Sequence, residues 1–208
     1  MRRRRQPARE DFLEGELRLA LQSGGCAVCV VAGETERAVL AWLATTKIRE
    51  ETTIEKLVDA RGLCARHWAG VLERRDGDLG ASGARVLARI AEAVAVEGHD
   101  VQPEPAEPCP VCASVSRRER LTVRMLLALL TDPITSDAAT WSAICRPHLR
   151  LAFQLDGGED GVRSLAAIQH RSLRILAERA REPDQDVTSR VDLIRRIIAI
   201  LAGSELTI

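Results

Sequence analysis

The chain has 208 residues, of which 46% are hydrophobic and 29% charged, so it is long and apolar enough to fold around a core. Its 30 basic and 30 acidic residues give a formal net charge of zero, which removes the broad positive field that attracts nucleic acid or anionic lipid. Aromatic residues make up only 2%, so there is no repeated stacking platform for single-stranded bases.

The N-terminal residues 1–10 contain a run of four arginines, at positions 2–5, which leads into acidic residues. No apolar run in the chain reaches the roughly 18 residues that are needed to span a bilayer. We therefore expect a basic, flexible N-terminus on a cytoplasmic protein that neither crosses nor binds a membrane.

Apolar residues recur three and four positions apart through most of the chain, and no segment keeps the strict alternation of a half-buried strand. Before the first cysteine this stripe consists of Leu13, Leu17, Ala20 and Leu21. The pattern predicts an all-α fold. Its last element is an amphipathic helix over 187–203, which carries Val191, Ile194, Ile198 and Leu201 on one face and ends at Gly203. We expect this helix to pack across both of the modules predicted below.

All six cysteines belong to four short motifs that occur in two similar sets. A Cys-x-x-Cys pair at 26–29 is followed by Cys-x-x-His at 64–67, and the same order returns at 109–112 and 145–148. The repetition indicates an internal duplication. It predicts a first helical module over 11–98, a proline-rich acidic linker over 99–108, and a second module over 109–182.

Zinc is the metal that prefers four thiolate or imidazole ligands in a tetrahedron, and residues three apart can supply two of them. We therefore predict two Zn²⁺ ions per chain, one in each module. The predicted ligands are Cys26, Cys29, Cys64 and His67 for the first ion, and Cys109, Cys112, Cys145 and His148 for the second. Nearby Arg61, Arg66 and Arg146 are candidate partners for the anionic sites, whereas His99 and His170 are expected at the surface.

Other uses of the cysteines are less favoured. An iron–sulfur cluster stays open as an alternative, although clusters usually take four thiolates. Disulfides are disfavoured because nothing indicates an oxidising compartment, and c-type haem is excluded because no His follows either Cys-x-x-Cys pair. A redox dithiol of the thioredoxin kind would need a βαβ context, which the helical pattern lacks.

The motifs resemble a bacterial family, named only as a domain of unknown function, in which a Cys-x-x-Cys helix and a Cys-x-x-His helix occur twice. The resemblance covers about residues 10–203 and is carried by Gly-Leu-Cys-Ala-Arg-His-Trp at 62–68, Ile-Cys-Arg-Pro-His-Leu at 144–149 and Cys-Pro-Val-Cys at 109–112. Ala27 replaces the family's usual proline, and no glycine precedes Ile144. The resemblance implies metal binding and a helical fold, but no activity.

Because each predicted site has four protein ligands, we expect structural metals and no enzyme activity. The chain also has no glycine-rich phosphate loop and no nucleophile elbow. The leading hypothesis is a zinc-stabilised scaffold that binds another protein. Two alternatives remain: a DNA-binding regulator, for which 53–63 has helix-turn-helix spacing although Gly62 is better explained as a helix stop, and a redox- or zinc-responsive switch. The sequence does not indicate an oligomeric state.

Overall fold

The architecture was analysed in a computed structural model that describes residues 7–23, 25–45, 50–73, 79–96, 108–131, 144–155, 159–182 and 186–202. Within these ranges all regular secondary structure is α-helical, which confirms the predicted fold class. The helices in these ranges are α1 Pro7–Gln22, α2 Ala27–Thr45, α3 Glu51–Asp59, α4 Ala65–Leu72, α5 Leu79–Val96, α6 Pro110–Thr131, α7 Arg146–Gln154, α8 Glu159–Arg179 and α9 Val187–Ala202. None of these helices is both long and apolar enough to cross a lipid bilayer.

Some sequence predictions fall outside the described residues: the arginine run at 2–5, His99, the linker as far as residue 107, and the stop at Gly203. Helix α1 begins at Pro7, inside the range predicted as a flexible N-terminus. Proline suits the first position of a helix, because the missing N–H has no partner there in any case.

The chain divides into two compact units that differ from the contiguous modules predicted above. Unit 1 combines residues 1–32 with 118–208, and unit 2 is the intervening stretch 33–117. Both boundaries fall inside helices, α2 and α6, and not in the proline-rich linker. Each of these two helices therefore contributes residues to both units.

Unit 1 is built around the apolar faces of α1, the first turns of α2, the second half of α6, and helices α7 and α8. Every residue of the stripe predicted on α1 is buried. The core cluster also includes Val28, Leu126, Leu127 and Ile144, which are at most 1% exposed, and the sulfur-bearing side chains of Cys26 and Cys145. Two of the three cysteines of this unit are thus part of its hydrophobic core, and Cys29 packs against it.

Unit 2 is centred on α3, which packs on α5, and on the turn that connects α3 to α4. The Gly62 N–H donates to the Leu57 carbonyl at 2.6 Å and the Arg61 N–H to the Val58 carbonyl at 2.9 Å. This pattern of two bonds closes a helix in a Schellman motif, with Arg61 at φ 52° and Gly62 at φ 94°. The predicted helix stop at Gly62 is confirmed, and the turn delivers Cys64 to the start of α4.

Helix α9 packs on α8 through a face other than the stripe noted in the sequence. Leu193, Ile197 and Ile200 pack against Leu173 and Leu176 of α8. The stripe of Val191, Ile194, Ile198 and Leu201 is 37–52% exposed. The helix carries two apolar stripes about a third of a turn apart, and periodicity alone could not show which one meets α8.

Candidate metal centres

The eight predicted ligands lie at the starts of four helices. Cys26, Cys64, Cys109 and Cys145 each occupy the position immediately before a helix, and their motif partners come three residues later, in the first turn. Cys64 and Cys145 have nearly the same extended backbone, with φ and ψ of −65° and 160° and of −71° and 157°. Side chains at the N-cap and at the third helical position lie side by side, which is why the two-residue spacing lets both reach one ion.

The first group, here called the buried site, consists of Cys26, Cys29, Cys145 and His148. The His148 Nδ1 lies 3.0 Å from the Cys145 Sγ and 3.4 Å from each of the Cys26 and Cys29 sulfurs. The Cys29 and Cys145 sulfurs are 3.6 Å apart. Cys26, Cys145 and His148 are buried and Cys29 is half-buried, so protein surrounds most of the group.

The second group, here called the exposed site, consists of Cys64, His67, Cys109 and Cys112. The His67 Nδ1 lies 3.1 Å from the Cys64 Sγ, 3.3 Å from that of Cys109 and 3.5 Å from that of Cys112. The Cys64 and Cys112 sulfurs are 3.9 Å apart. His67 is buried, but Cys64 and Cys112 are exposed at the protein surface.

Both groups have the dimensions of a tetrahedral site for one ion. An ion with metal–sulfur bonds of about 2.3 Å and a metal–nitrogen bond of about 2.0 Å places its sulfurs about 3.8 Å apart and its nitrogen about 3.5 Å from each sulfur. The S···S distances of 3.6 and 3.9 Å and the N···S distances of 3.0–3.5 Å lie close to these edges. Each group can therefore hold one metal ion.

The predicted assignment of motifs to sites is wrong. The Cys-x-x-Cys pair at 26–29 meets the Cys-x-x-His pair at 145–148, and the pair at 109–112 meets the one at 64–67. The early motif of each predicted module thus joins the late motif of the other. The exchange follows from packing: Cys26 and Cys145 belong to the core of unit 1, while Cys109 packs against the core of unit 2.

Each ligand histidine uses its other ring nitrogen to contact a glutamate that the sequence reasoning missed. The His67 Nε2 lies 3.0 Å from a Glu36 carboxylate oxygen, and the His148 Nε2 lies 3.2 Å from one of Glu119. A carboxylate at this position accepts the Nε2–H and leaves the Nδ1 lone pair free for a metal. A sequence signal exists, because both glutamates follow the second cysteine of a Cys-x-x-Cys pair by seven residues.

The carboxylate at the exposed site has a second partner. Arg66 donates two hydrogen bonds to Glu36, at 2.7 and 2.8 Å, from the helix that carries His67. Arg66 therefore contacts the carboxylate behind His67 and remains largely exposed to solvent. At the other Cys-x-x-His motif Pro147 occupies the corresponding position, and the neighbouring Arg146 is exposed.

The pKa shifts of the cysteines and the histidine at the buried site favour the binding of a cation. Hydrogen bonds with Cys145 and Cys29 lower the pKa of the Cys26 thiol, whereas hydrogen bonds with Cys145 and Cys26 raise the pKa of Cys29. Burial acts to lower the pKa of His148, but hydrogen bonds with the cysteines and with Glu119 raise it to about 11. These shifts favour ionisation of Cys26 beside a protonated His148 and disfavour ionisation of Cys29. A dication that displaces these protons would remove the repulsion between adjacent thiolates.

The exposed site shows the same crowding of sulfurs. Burial and the charge of Cys109 raise the pKa of Cys112 to about 12. Burial also acts to raise the pKa of Cys64, but a backbone hydrogen bond from His67 and the hydrogen bond with Cys112 lower it overall. The sulfurs cannot all ionise side by side unless a positive charge is added.

No protein-family model, no curated protein and no solved structure matches the chain. The description of the two centres therefore rests on their own geometry.

The exchanged pairing can be tested by removing two ligands at a time and measuring the Zn²⁺ bound per chain. Cys26→Ser with Cys145→Ser removes ligands from one site, so we expect about one ion to remain. Cys26→Ser with Cys64→Ser damages both sites and should leave essentially none. Pairing in sequence order would reverse the two results, so each double variant is the control for the other.

The glutamates are expected to strengthen metal binding without touching the ion. Glu36→Gln and Glu119→Gln should each weaken the affinity of one site for Zn²⁺ by about 10–100-fold, because an uncharged amide oxygen accepts the histidine Nε2–H more weakly than a carboxylate does. Competition with a chromophoric chelator measures the affinity. Glu34→Gln, an exposed position two residues from Glu36, serves as the control and should leave both affinities unchanged.

Proposed function

We propose that the chain binds two zinc ions, one at each site, and that these ions stabilise a helical scaffold that binds another protein. The observation that carries the proposal is the presence of two separate groups of three cysteines and one histidine at tetrahedral spacing. One such group could arise from the crowding of a core. Two groups that use all six cysteines of the chain, each with a carboxylate behind its histidine, indicate metal binding.

Zinc is favoured over the other metals by ligand type and spacing. Thiolate and imidazole in a tetrahedron are typical of Zn²⁺, whereas Mg²⁺ and Ca²⁺ take oxygen ligands. An iron–sulfur cluster distributes its protein ligands over several iron atoms, so those ligands lie farther apart than ligands of a single ion. The N···S distances of 3.0–3.5 Å match a single ion. Deprotonated cysteines of this kind fit a reducing compartment such as the cytoplasm.

The proposed role of the ions is structural. The buried site joins helix starts that are 116–122 residues apart in sequence, and the exposed site joins starts that are 42–48 apart. Zinc held in this way contributes on the order of 10–16 kcal/mol in small modules, which is comparable with the whole stability of a domain. Because protein side chains supply all four ligands, we propose no catalytic metal and no enzyme activity.

Removal of the metal is expected to unfold much of the protein. Metal analysis of the purified chain should find about two zinc ions, and excess EDTA should abolish most of the helical circular dichroism signal, because ligand residues belong to the core of unit 1 and pack against the core of unit 2. Re-addition of Zn²⁺ should restore the signal, whereas Mg²⁺ should not. Helicity that survives complete loss of zinc would contradict the structural role.

The surface that we propose for a protein partner is the outer face of α9, formed by Val191, Ile194, Ile198 and Leu201. These residues are 37–52% exposed, although the same helix is anchored through Leu193 and Ile200. Their spacing of three, four and three residues forms a straight seam of the kind that packs against another helix. The face is therefore suited to an amphipathic helix of the partner.

The DNA-binding alternative is less well supported. Helix α4, which would have to read the groove, has only eight residues, and its His67 and Val71 point into the protein. Arg66, a cation on this helix, is engaged in its two hydrogen bonds with Glu36. The segment is better explained as the support of the exposed site.

The partner surface can be tested with a photo-cross-linking amino acid in the zinc-loaded protein in cells. At position 194 we expect a discrete cross-linked product with a second protein, because this position lies on the exposed seam. At position 178, which is exposed on α8, no such product is expected. Equal products at both positions, or a product only with a second copy of the chain, would contradict the proposal.

A further inference from the structure

We propose that the exposed site is a redox-modification site, at which a hydroperoxide joins Cys64 and Cys112 in a disulfide and releases that site's zinc ion. The buried site keeps its ion under the same conditions. The inference rests on zinc binding as proposed above, and it goes further by assigning different reactivities to two sites that have the same ligands.

The two sites differ in how easily an oxidant can reach their sulfurs. An oxidant must reach a thiolate sulfur from solvent, and reactivity follows exposure among thiolates of similar character. In the exposed site Cys64 and Cys112 both lie at the protein surface. In the buried site Cys26 is 5% exposed and Cys145 is 0% exposed. Only one of the two sites therefore presents a pair of sulfurs to solvent.

The two exposed sulfurs also lie close to each other. Cys64 Sγ and Cys112 Sγ are 3.9 Å apart, and a disulfide requires about 2.05 Å. They lie on different helices, at the N-cap of α4 and in the first turn of α6, so side-chain rotation with a small movement of one helix start can close the gap. Cys64 and Cys112 are thus the sulfurs that are both accessible and adjacent.

The reaction balances with hydroperoxide as the oxidant. One thiolate attacks the peroxide oxygen, breaks the O–O bond and becomes a sulfenic acid, while the departing oxygen takes up a proton and leaves as water when the oxidant is hydrogen peroxide. The second thiolate attacks the sulfenic sulfur, forms the S–S bond and expels hydroxide, which is protonated to a second water. In total two thiolates, one H₂O₂ and two protons give one disulfide and two waters.

Loss of zinc follows from the ligand count. The disulfide removes two anionic ligands and leaves His67 and Cys109, and two ligands hold Zn²⁺ far less tightly than four. Without the ion, the disulfide replaces the metal as the link between the N-cap of α4 and the first turn of α6, and His67 on α4 loses its metal contact. Reduction of the disulfide restores the ligand set, so the change is reversible.

The experiment treats the zinc-loaded full-length chain with hydrogen peroxide and follows free zinc with a chromophoric indicator. We expect about one ion per chain to be released early and the second to resist a several-fold excess of peroxide. Trypsin cleaves after Arg61, Arg66, Arg89 and Arg117, so mass spectrometry should find peptide 62–66 linked to peptide 90–117, with the fragment spectrum placing the bond at Cys112. A phosphine reductant with added Zn²⁺ should restore two ions.

Two double variants assign the released ion. Cys26→Ser with Cys145→Ser keeps only the exposed-site ion and should lose it at the wild-type rate, whereas Cys64→Ser with Cys112→Ser should keep its remaining ion. If either variant fails to fold, the disulfide that mass spectrometry identifies in the oxidised wild-type chain decides which site was oxidised. Three outcomes would overturn the inference: release of both ions at one rate, formation of a different disulfide, or resistance of both sites to peroxide. None of them would contradict zinc binding itself. Less than two zinc ions before oxidation would contradict the proposed function itself.

Discussion

One geometric constraint governs both Cys/His groups: two side chains at the start of a helix can supply only half of the ligands of a tetrahedral metal site. The N-cap cysteine and the residue three positions later can share an ion, but the other two ligands must come from a second helix start. Each site therefore brings the starts of two helices together. In the buried site these are α2 and α7, and in the exposed site α4 and α6.

Helix starts also suit the charge of such a site. Three thiolates and a dication carry a net charge of about −1, and the free N–H groups at the start of a helix offer a compensating positive potential. The carboxylates of Glu36 and Glu119 contact the Nε2 atoms of the histidines, on the side of the ring away from the Nδ1 that faces the sulfurs. Helices α2 and α6 each supply cysteines to one site and, seven positions after the second cysteine, a glutamate to the other.

The two sites have the same ligands in different surroundings. Cys26 and Cys145 are part of the hydrophobic core of unit 1, whereas Cys64 and Cys112 remain open to solvent. The same motif thus gives two groups that differ in solvent access, and burial rather than ligand identity controls which sulfurs an oxidant would reach. A similar division is seen on α9, where one apolar stripe anchors the helix and the other is exposed.

The sequence by itself determined the helical fold class, the eight candidate ligands and the stop at Gly62, since each depends on local spacing or backbone conformation. It could not determine which half-sites meet, because any Cys-x-x-Cys pair can complete a site with any Cys-x-x-His pair. Packing decided that Cys26 lies beside Cys145 in one core and that Cys109 packs on the other. Packing also decided which face of α9 is buried and brought Glu36 within reach of His67, since long-range contacts set both.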